Sequence, residues 1–170
     1  MKPAEVSLPS DTEVRIVRKF DAPASLVWRA YTEPALMQQW LLGPPGWTMP
    51  VCEMDVRVGG KFRWRWRNDD DGSEFGFYGE FKELTPHTRI VHTEFFDPGD
   101  LDNDMGEGTV ITVTFDETDG ATTMTSLIKY ASKQDRDAAL STGMTDGMEM
   151  SYKQLDTLVA SESNNRALPS

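Results

Sequence analysis

The heptapeptide KFRWRWR, Lys61 to Arg67, decides the reading of the chain. Its rings, Phe62, Trp64 and Trp66, alternate with the cations Lys61, Arg63, Arg65 and Arg67. A side-chain period of two belongs to a strand with one face buried and the other in water. The same period spreads outward on both sides. Upstream, residues 49–57 read as a strand that turns at Gly59-Gly60. Downstream, residues 68–72 are an acidic turn in which Asp71-Gly72 signals a hairpin, and residues 75–84 return until Pro86 ends them. Strands are then expected over 89–96, over 109–115 and, after the turn at Asp119-Gly120, over 121–130. With residues 12–20, where Val14, Ile16 and Arg18 lie opposite Arg15, Val17 and Lys19, this makes about seven strands joined mostly by tight turns, the pattern of an antiparallel sheet.

Two short helices follow the first strand. Pro23 suits a first helical turn, and Leu26, Val27, Ala30 and Tyr31 recur at helical spacing. Thr32 is a candidate N-cap for the second helix, with Pro34 just inside it and Leu36, Met37 and Trp40 after. At the other end, Ser132 is an N-cap with Asp135 three residues on. Leu140, Met144, Met148, Tyr152, Leu155 and Val159 then predict one long helix with an apolar face. Gly143 and Gly147 each weaken that helix by roughly 1 kcal/mol relative to Ala, so close approach to the sheet or to a ligand is expected there. The fold class is α+β: a sheet whose apolar face must be covered, and one C-terminal helix long enough to cover it.

The chain has 170 residues, the size of one domain. Residues 1–10 read as a flexible arm, 11–160 as the domain and 161–170 as a flexible tail. Lys and Arg total 17 against 28 Asp and Glu, a net charge of −11. That argues against nucleic acid and anionic lipid as partners. One cysteine cannot form an internal disulfide, and two histidines with one cysteine nearly exclude a zinc site of nitrogen and sulfur ligands. No stretch reaches the roughly 18 apolar residues of a membrane-spanning helix, and the first residues show no apolar secretion signal. A soluble, cytoplasmic protein is expected.

Four segments together resemble a known family: FDAPASLVWRAYTEPALMQQWLLGPPGWT at 20–48, DVRVGGKFRWRWR at 55–67, GEFKELTPHTRIVHT at 79–93, and TGMTDGMEMSYKQLDTL at 142–158. They resemble the START-like, or SRPBCC, superfamily, whose helix-grip fold is that of the major birch pollen allergen. Within it they are similar to the bacterial branch named for homology to the activator of heat-shock protein 90 ATPase. The resemblance spans roughly residues 12–160. It implies a curved antiparallel sheet wrapped on the C-terminal helix with a cavity between them. It does not imply one activity, because the superfamily holds lipid carriers, hormone receptors, polyketide cyclases and co-chaperone domains.

The pocket candidates are the rings Trp40, Trp47, Trp64, Trp66, Phe75, Phe77 and Phe81, together with His92, Met144, Met148 and Tyr152. These rings read equally as core filling or as the walls of an apolar pocket, and methionine suits both. The cationic stripe faces away from the rings, where a single-strand nucleic-acid binder would want both on one side; pairing with Glu53, Glu74 or Glu80 is expected instead. The loop Asp100-Leu101-Asp102-Asn103-Asp104 begins like a calcium loop, but Met105 and Ile111 stand where glycine and glutamate are needed. His87 and His92 have no catalytic partner by spacing, and Cys52 reads as inert. Asp55 and Arg57 could form an ion pair that fixes the glycine turn. No catalytic residue, metal or cofactor is assigned. The expected function is binding of a small apolar, lipid-like molecule by a monomer or homodimer. One alternative is a co-chaperone-like domain that meets a chaperone or other protein through the outside of its sheet. Another is a hydrolase or cyclase with His92 or Glu149 as acid/base, for which a raised Glu149 pKa inside the pocket would be the mark.

Overall fold

The computed structural model describes residues 2–98 and 108–167. Eight strands, β1 (Glu5–Ser7), β2 (Glu13–Phe20), β3 (Trp47–Met54), β4 (Lys61–Asn68), β5 (Glu74–Thr85), β6 (Arg89–Asp97), β7 (Thr109–Thr118) and β8 (Ala121–Lys129), form one antiparallel sheet in the order β1-β2-β8-β7-β6-β5-β4-β3. From β3 to β8 each strand pairs with its successor in sequence, as a meander requires. Two pairings remain: β1 with β2, and β2 with β8 from Glu13↔Lys129 to Phe20↔Thr122, which brings the first long strand beside the last. Helices α1 (Ala24–Thr32) and α2 (Pro34–Trp40) connect β2 to β3, and α3 (Lys133–Ser141) and α4 (Met144–Ala167) end the chain. The acidic loop at 100–104 lies outside the described residues.

The α+β class, the antiparallel sheet and the long C-terminal helix agree with the expectation, and three details correct it. Among the described residues the strands number eight, where about seven were expected. The eighth is β1, drawn from residues expected as a loose arm. Glu5, Val6 and Ser7 pair with Val17, Ile16 and Arg15, and the Ala4 N–H donates to Glu149 Oε1 at 2.8 Å. Second, the final helix is two helices. Gly143 takes φ of +80°, which is left-handed backbone that glycine adopts freely and that ends a helix. Third, Thr32 does not cap α2. Its hydroxyl donates to Trp28 O at 2.8 Å, and Glu33 holds the cap position. Ser132 does cap α3, accepting from the Asp135 N–H at 3.0 Å.

The alternation in β4 settles its two faces. Phe62, Trp64 and Trp66 are buried, while Arg65 on the outer face binds Glu74 at 3.3 Å and Asp97 at 2.6 Å. Asp55 and Arg57 form the expected ion pair beside the Gly59-Gly60 turn, at 2.8 Å. The core lies between the inner face of the sheet and the helices. Val14, Ile16, Phe20, Met124, Leu155 and Val159 are nearly or fully inaccessible there. Over β2, α4 packs closely: the Tyr152 ring meets Phe20 edge-on at 5.8 Å. Over β4–β6 its first turns stand off the sheet.

Candidate functional site

Where α4 stands off, a cleft of about 470 Å³ opens. One wall is sheet: Trp66 from β4, Phe75 and Phe77 from β5, and Phe96 from β6. The opposite wall is Met144, Gly147, Met148 and Ser151 of α4. The α2–β3 connection, with Leu41, Leu42 and Pro44, and Trp47 at the start of β3 also line it. The rings brace one another: Trp47 meets Phe75 edge-on at 5.2 Å, Trp66 stacks on Phe75 at 5.4 Å, and Phe77 tilts against Phe96 at 5.5 Å. Several polar atoms of the lining are already bonded. Trp66 Nε1 donates to Leu41 O at 2.6 Å, Ser151 Oγ accepts from the Gly43 N–H at 2.8 Å, and the Thr142 hydroxyl donates to Ala139 O at 2.6 Å. The surface that remains for an occupant is mostly apolar.

Six of the eleven candidates therefore share this cleft: Trp47, Trp66, Phe75, Phe77, Met144 and Met148. The other five lie elsewhere. Trp40 is 1 % exposed and donates to Ala30 O at 2.9 Å, and Tyr152 is 3 % exposed. Both are core between α2, α4 and β2. Phe81 and Trp64 are buried along the inner face of the sheet, next to His92. The sequence reading missed Leu41, Leu42, Pro44, Phe96 and Ser151. Phe96 was within reach of it, because 90, 92, 94 and 96 share one face of β6.

Beside the cleft lies a polar cluster with Glu94, also unforeseen, at its centre. His92 Nε2 is 3.0 Å from Glu94 Oε2. Burial, with the Glu94 carboxylate nearby, pushes the Tyr130 phenol up to about 12. The Tyr130 hydroxyl meets Met144 Sδ at 3.4 Å, so the cluster reaches the cleft wall. Two buried nitrogens here, Trp64 Nε1 and His92 Nδ1, have no hydrogen-bond partner among the described residues.

Glu149 does not sit in the cleft. It faces the buried Arg18, whose guanidinium binds it at 3.1 Å and Asp156 at 2.8 Å. Burial raises the Glu149 pKa, but hydrogen bonds from Arg18 and from the Ala4 N–H outweigh this and hold it below the usual carboxylate range. The raised pKa that would mark an acid catalyst is absent there. No group of three or more His, Cys, Asp or Glu among the described residues could hold a metal ion, and no helix among them is long and apolar enough to cross a membrane.

The sequence profile of the family described as "Activator of Hsp90 ATPase homolog 1-like protein" matches residues 21–160. The chain belongs to this family. Solved structures agree. A protein from Rhodobacter sphaeroides is 29 % identical, with a TM-score of 0.85 over 94 % of this chain and 99 % of its own. Ms6760 from Mycobacterium smegmatis is 26 % identical, with a TM-score of 0.81 over 92 % and 97 %. An "AHSA1-like protein" from Aeromonas hydrophila, at 19 % identity and a TM-score of 0.65, shares the fold over 85 % of this chain and 93 % of its own. No curated protein matches. Membership supports a ligand-binding or co-chaperone-like domain in general terms.

Proposed function

We propose that this member of the Hsp90-activator-like family binds a small, largely apolar molecule in the cleft between α4 and β4–β6. The observation that carries this reading is the cleft itself: about 470 Å³, within the range of small-molecule sites, walled by braced aromatic rings and two methionines. Rigid rings lose little entropy when a ligand docks, and methionine adapts to its shape. Trp47 and Trp66 line the cleft, so intrinsic fluorescence reports occupancy. A fatty acid, a flavonoid or a naphthalene dye is expected to shift or quench it saturably, near one equivalent. Met148→Trp fills the space and is expected to weaken that binding without disturbing the fold. A panel of apolar ligands that gives no saturable change refutes the reading.

One observation favours a second reading, a protein-interaction domain. On the outer face Tyr78 and Phe95 stack at 5.5 Å and are 49 % and 42 % exposed, with Val110 nearby on β7 at 43 %. Single exposed apolar residues are ordinary, but a contiguous set on a sheet face suits a partner. Tyr78→Ser with Phe95→Ser is expected to leave ligand binding in the cleft intact. If that double variant abolishes ligand binding while the fold persists, the division of roles between the two faces fails.

A further inference from the structure

Among the described residues, every strand residue that lines the cleft is aromatic: Trp47, Trp66, Phe75, Phe77 and Phe96. No Lys, Arg, His, Asp or Glu among them lines it. An apolar wall does not by itself call for rings. Over β2, β7 and β8 the same face of the sheet buries Val14, Ile16, Ile111, Val113 and Ile128, and only two rings, Phe20 and Phe115. What a ring adds is a quadrupole, negative on its faces and positive at its edge. Trp47 with Phe75 and Phe75 with Phe77 meet edge to face, at 5.2 Å and 6.4 Å. In each such pair one ring turns its edge to the neighbour, and that contact leaves its own faces unused. A cation over a ring face is attracted by the quadrupole, and an anion there is repelled.

The surroundings carry the matching sign. The turn from β4 to β5 holds Asp69, Asp70 and Asp71, all exposed. It leaves β4 at Asn68, which stands opposite Trp47, and Phe75 follows one residue after it. The Asp69 N–H donates to Gly46 O at 2.8 Å, and a Cβ on Gly46 would stand 3.8 Å from Asp70 Oδ2. The three carboxylates therefore lie at the Trp47–Phe75 end of the cleft. The cations of β4 point to the opposite face of the sheet. The amino end of α4 borders the cleft and by itself favours an anion. It is offset by Asp146 in its first turn and by the carboxyl end of α3, which stops beside it at Ser141. The net charge of −11 adds to the same field.

We propose that the molecule bound in the cleft is an organic cation, a fully substituted ammonium group on an apolar body, lying against these rings. Its alkyl groups cover the charge and pack on the rings and on the polarisable sulfurs of Met144 and Met148. A primary ammonium fits less well, because it brings three N–H donors that need acceptors, and the lining is mostly apolar. A carboxylate or sulfonate meets no cation in the lining and faces a negative surround. The inference rests on the cleft reading above and narrows it.

Three probes of nearly one shape and different charge test it: benzyltrimethylammonium, its neutral carbon isostere neopentylbenzene, and phenylmethanesulfonate. Each is titrated at neutral pH into nitrogen-labelled protein, and the indole N–H resonances of Trp47 and Trp66, assigned by their Phe variants, are followed. The cation is expected to shift both saturably and to bind about threefold or more tighter than neopentylbenzene, with the sulfonate weakest. Phe77→Leu combined with Phe96→Leu keeps the wall apolar and removes two rings, and should bring the ratio of cation to neutral probe to one or below. If neopentylbenzene or the sulfonate binds as tightly as the cation, the cation inference falls and the cleft reading stands. If the cation is preferred and the double variant keeps the full ratio, net charge alone selects it and the role given to the rings falls. If no probe shifts Trp47 or Trp66, both the inference and the cleft reading fall. Should the double variant fail to fold, the unaltered chain in 1 M salt replaces it, where long-range charge is screened within about 3 Å. A ratio still near threefold there supports contact with the rings, and a ratio of one overturns it.

Discussion

Leu155→Ala tests whether α4 is rotated and seated as described. Leu155 is 0 % exposed, between Tyr152 and Val159 on the face that meets the core. With no route for solvent to fill the space and close-packed neighbours on every side, truncation removes the transfer free energy and leaves a cavity. Both terms put the cost at about 3–5 kcal/mol. Met150 lies five residues back, about 140° around the helix, and is 41 % exposed, so Met150→Ala should change stability by no more than about 0.5 kcal/mol. Urea unfolding followed by far-ultraviolet circular dichroism reads both, with an unchanged m-value showing that the same surface is exposed on unfolding. In thermal scans the Leu155 variant should fall by roughly 6–20 °C. A Leu155→Ala cost under about 1 kcal/mol, or equal costs at both positions, would show that another face of α4 meets the sheet.

Three further outcomes follow. The Arg18 cluster makes stability acid-sensitive. The folded Glu149 pKa lies below its ordinary value of 4.5, so its contribution is complete above that pH and is lost as pH falls through the folded value. Arg18→Met should flatten that acid limb in a stability–pH profile, and an unchanged limb would count against the assignment. Burial pushes the Cys52 thiol up to about 11, so iodoacetamide at neutral pH should label the folded protein far more slowly than the unfolded one; equal rates would contradict the burial. Gly147→Ala should raise stability by about 0.5–1 kcal/mol while weakening binding of an apolar probe several-fold. A destabilised variant, or one that binds unchanged, would overturn the role given to that glycine.

The strands were legible wherever burial is one-sided. In β4 and β8 every second side chain is buried, so the period of two survives in the sequence. β1 left no such mark, because all three of its residues are exposed. It is held by backbone pairing to β2 and by the Ala4 contact to Glu149, neither of which constrains side-chain type. The break between α3 and α4 was hidden for a different reason. Leu140, Met144 and Met148 keep a spacing of four across it, so the apolar period runs on. Only the left-handed φ at Gly143 reveals that the chain turns there.

The site was half legible, and the division has a geometric cause. Alternation tells which face of a strand a ring occupies, but not how far the covering helix stands from it. Trp64 and Trp66 share one face of β4, yet only Trp66 reaches the open space. The glycines carry the missing information. At Gly147, inside α4, an added Cβ would meet nothing closer than Pro44 Cδ at 3.9 Å, an ordinary contact, and at Gly143 it would meet nothing. Close packing against the sheet therefore does not require glycine at either position. Gly143 is required by its φ. Gly147 has no backbone reason, and it costs helix stability. Both line the cleft, and a methyl at 147 would project into its wall. A residue that weakens its own helix and keeps a wall bare is what a binding cleft needs and a filled core does not. It supports the proposed binding reading of the aromatic residues over core filling.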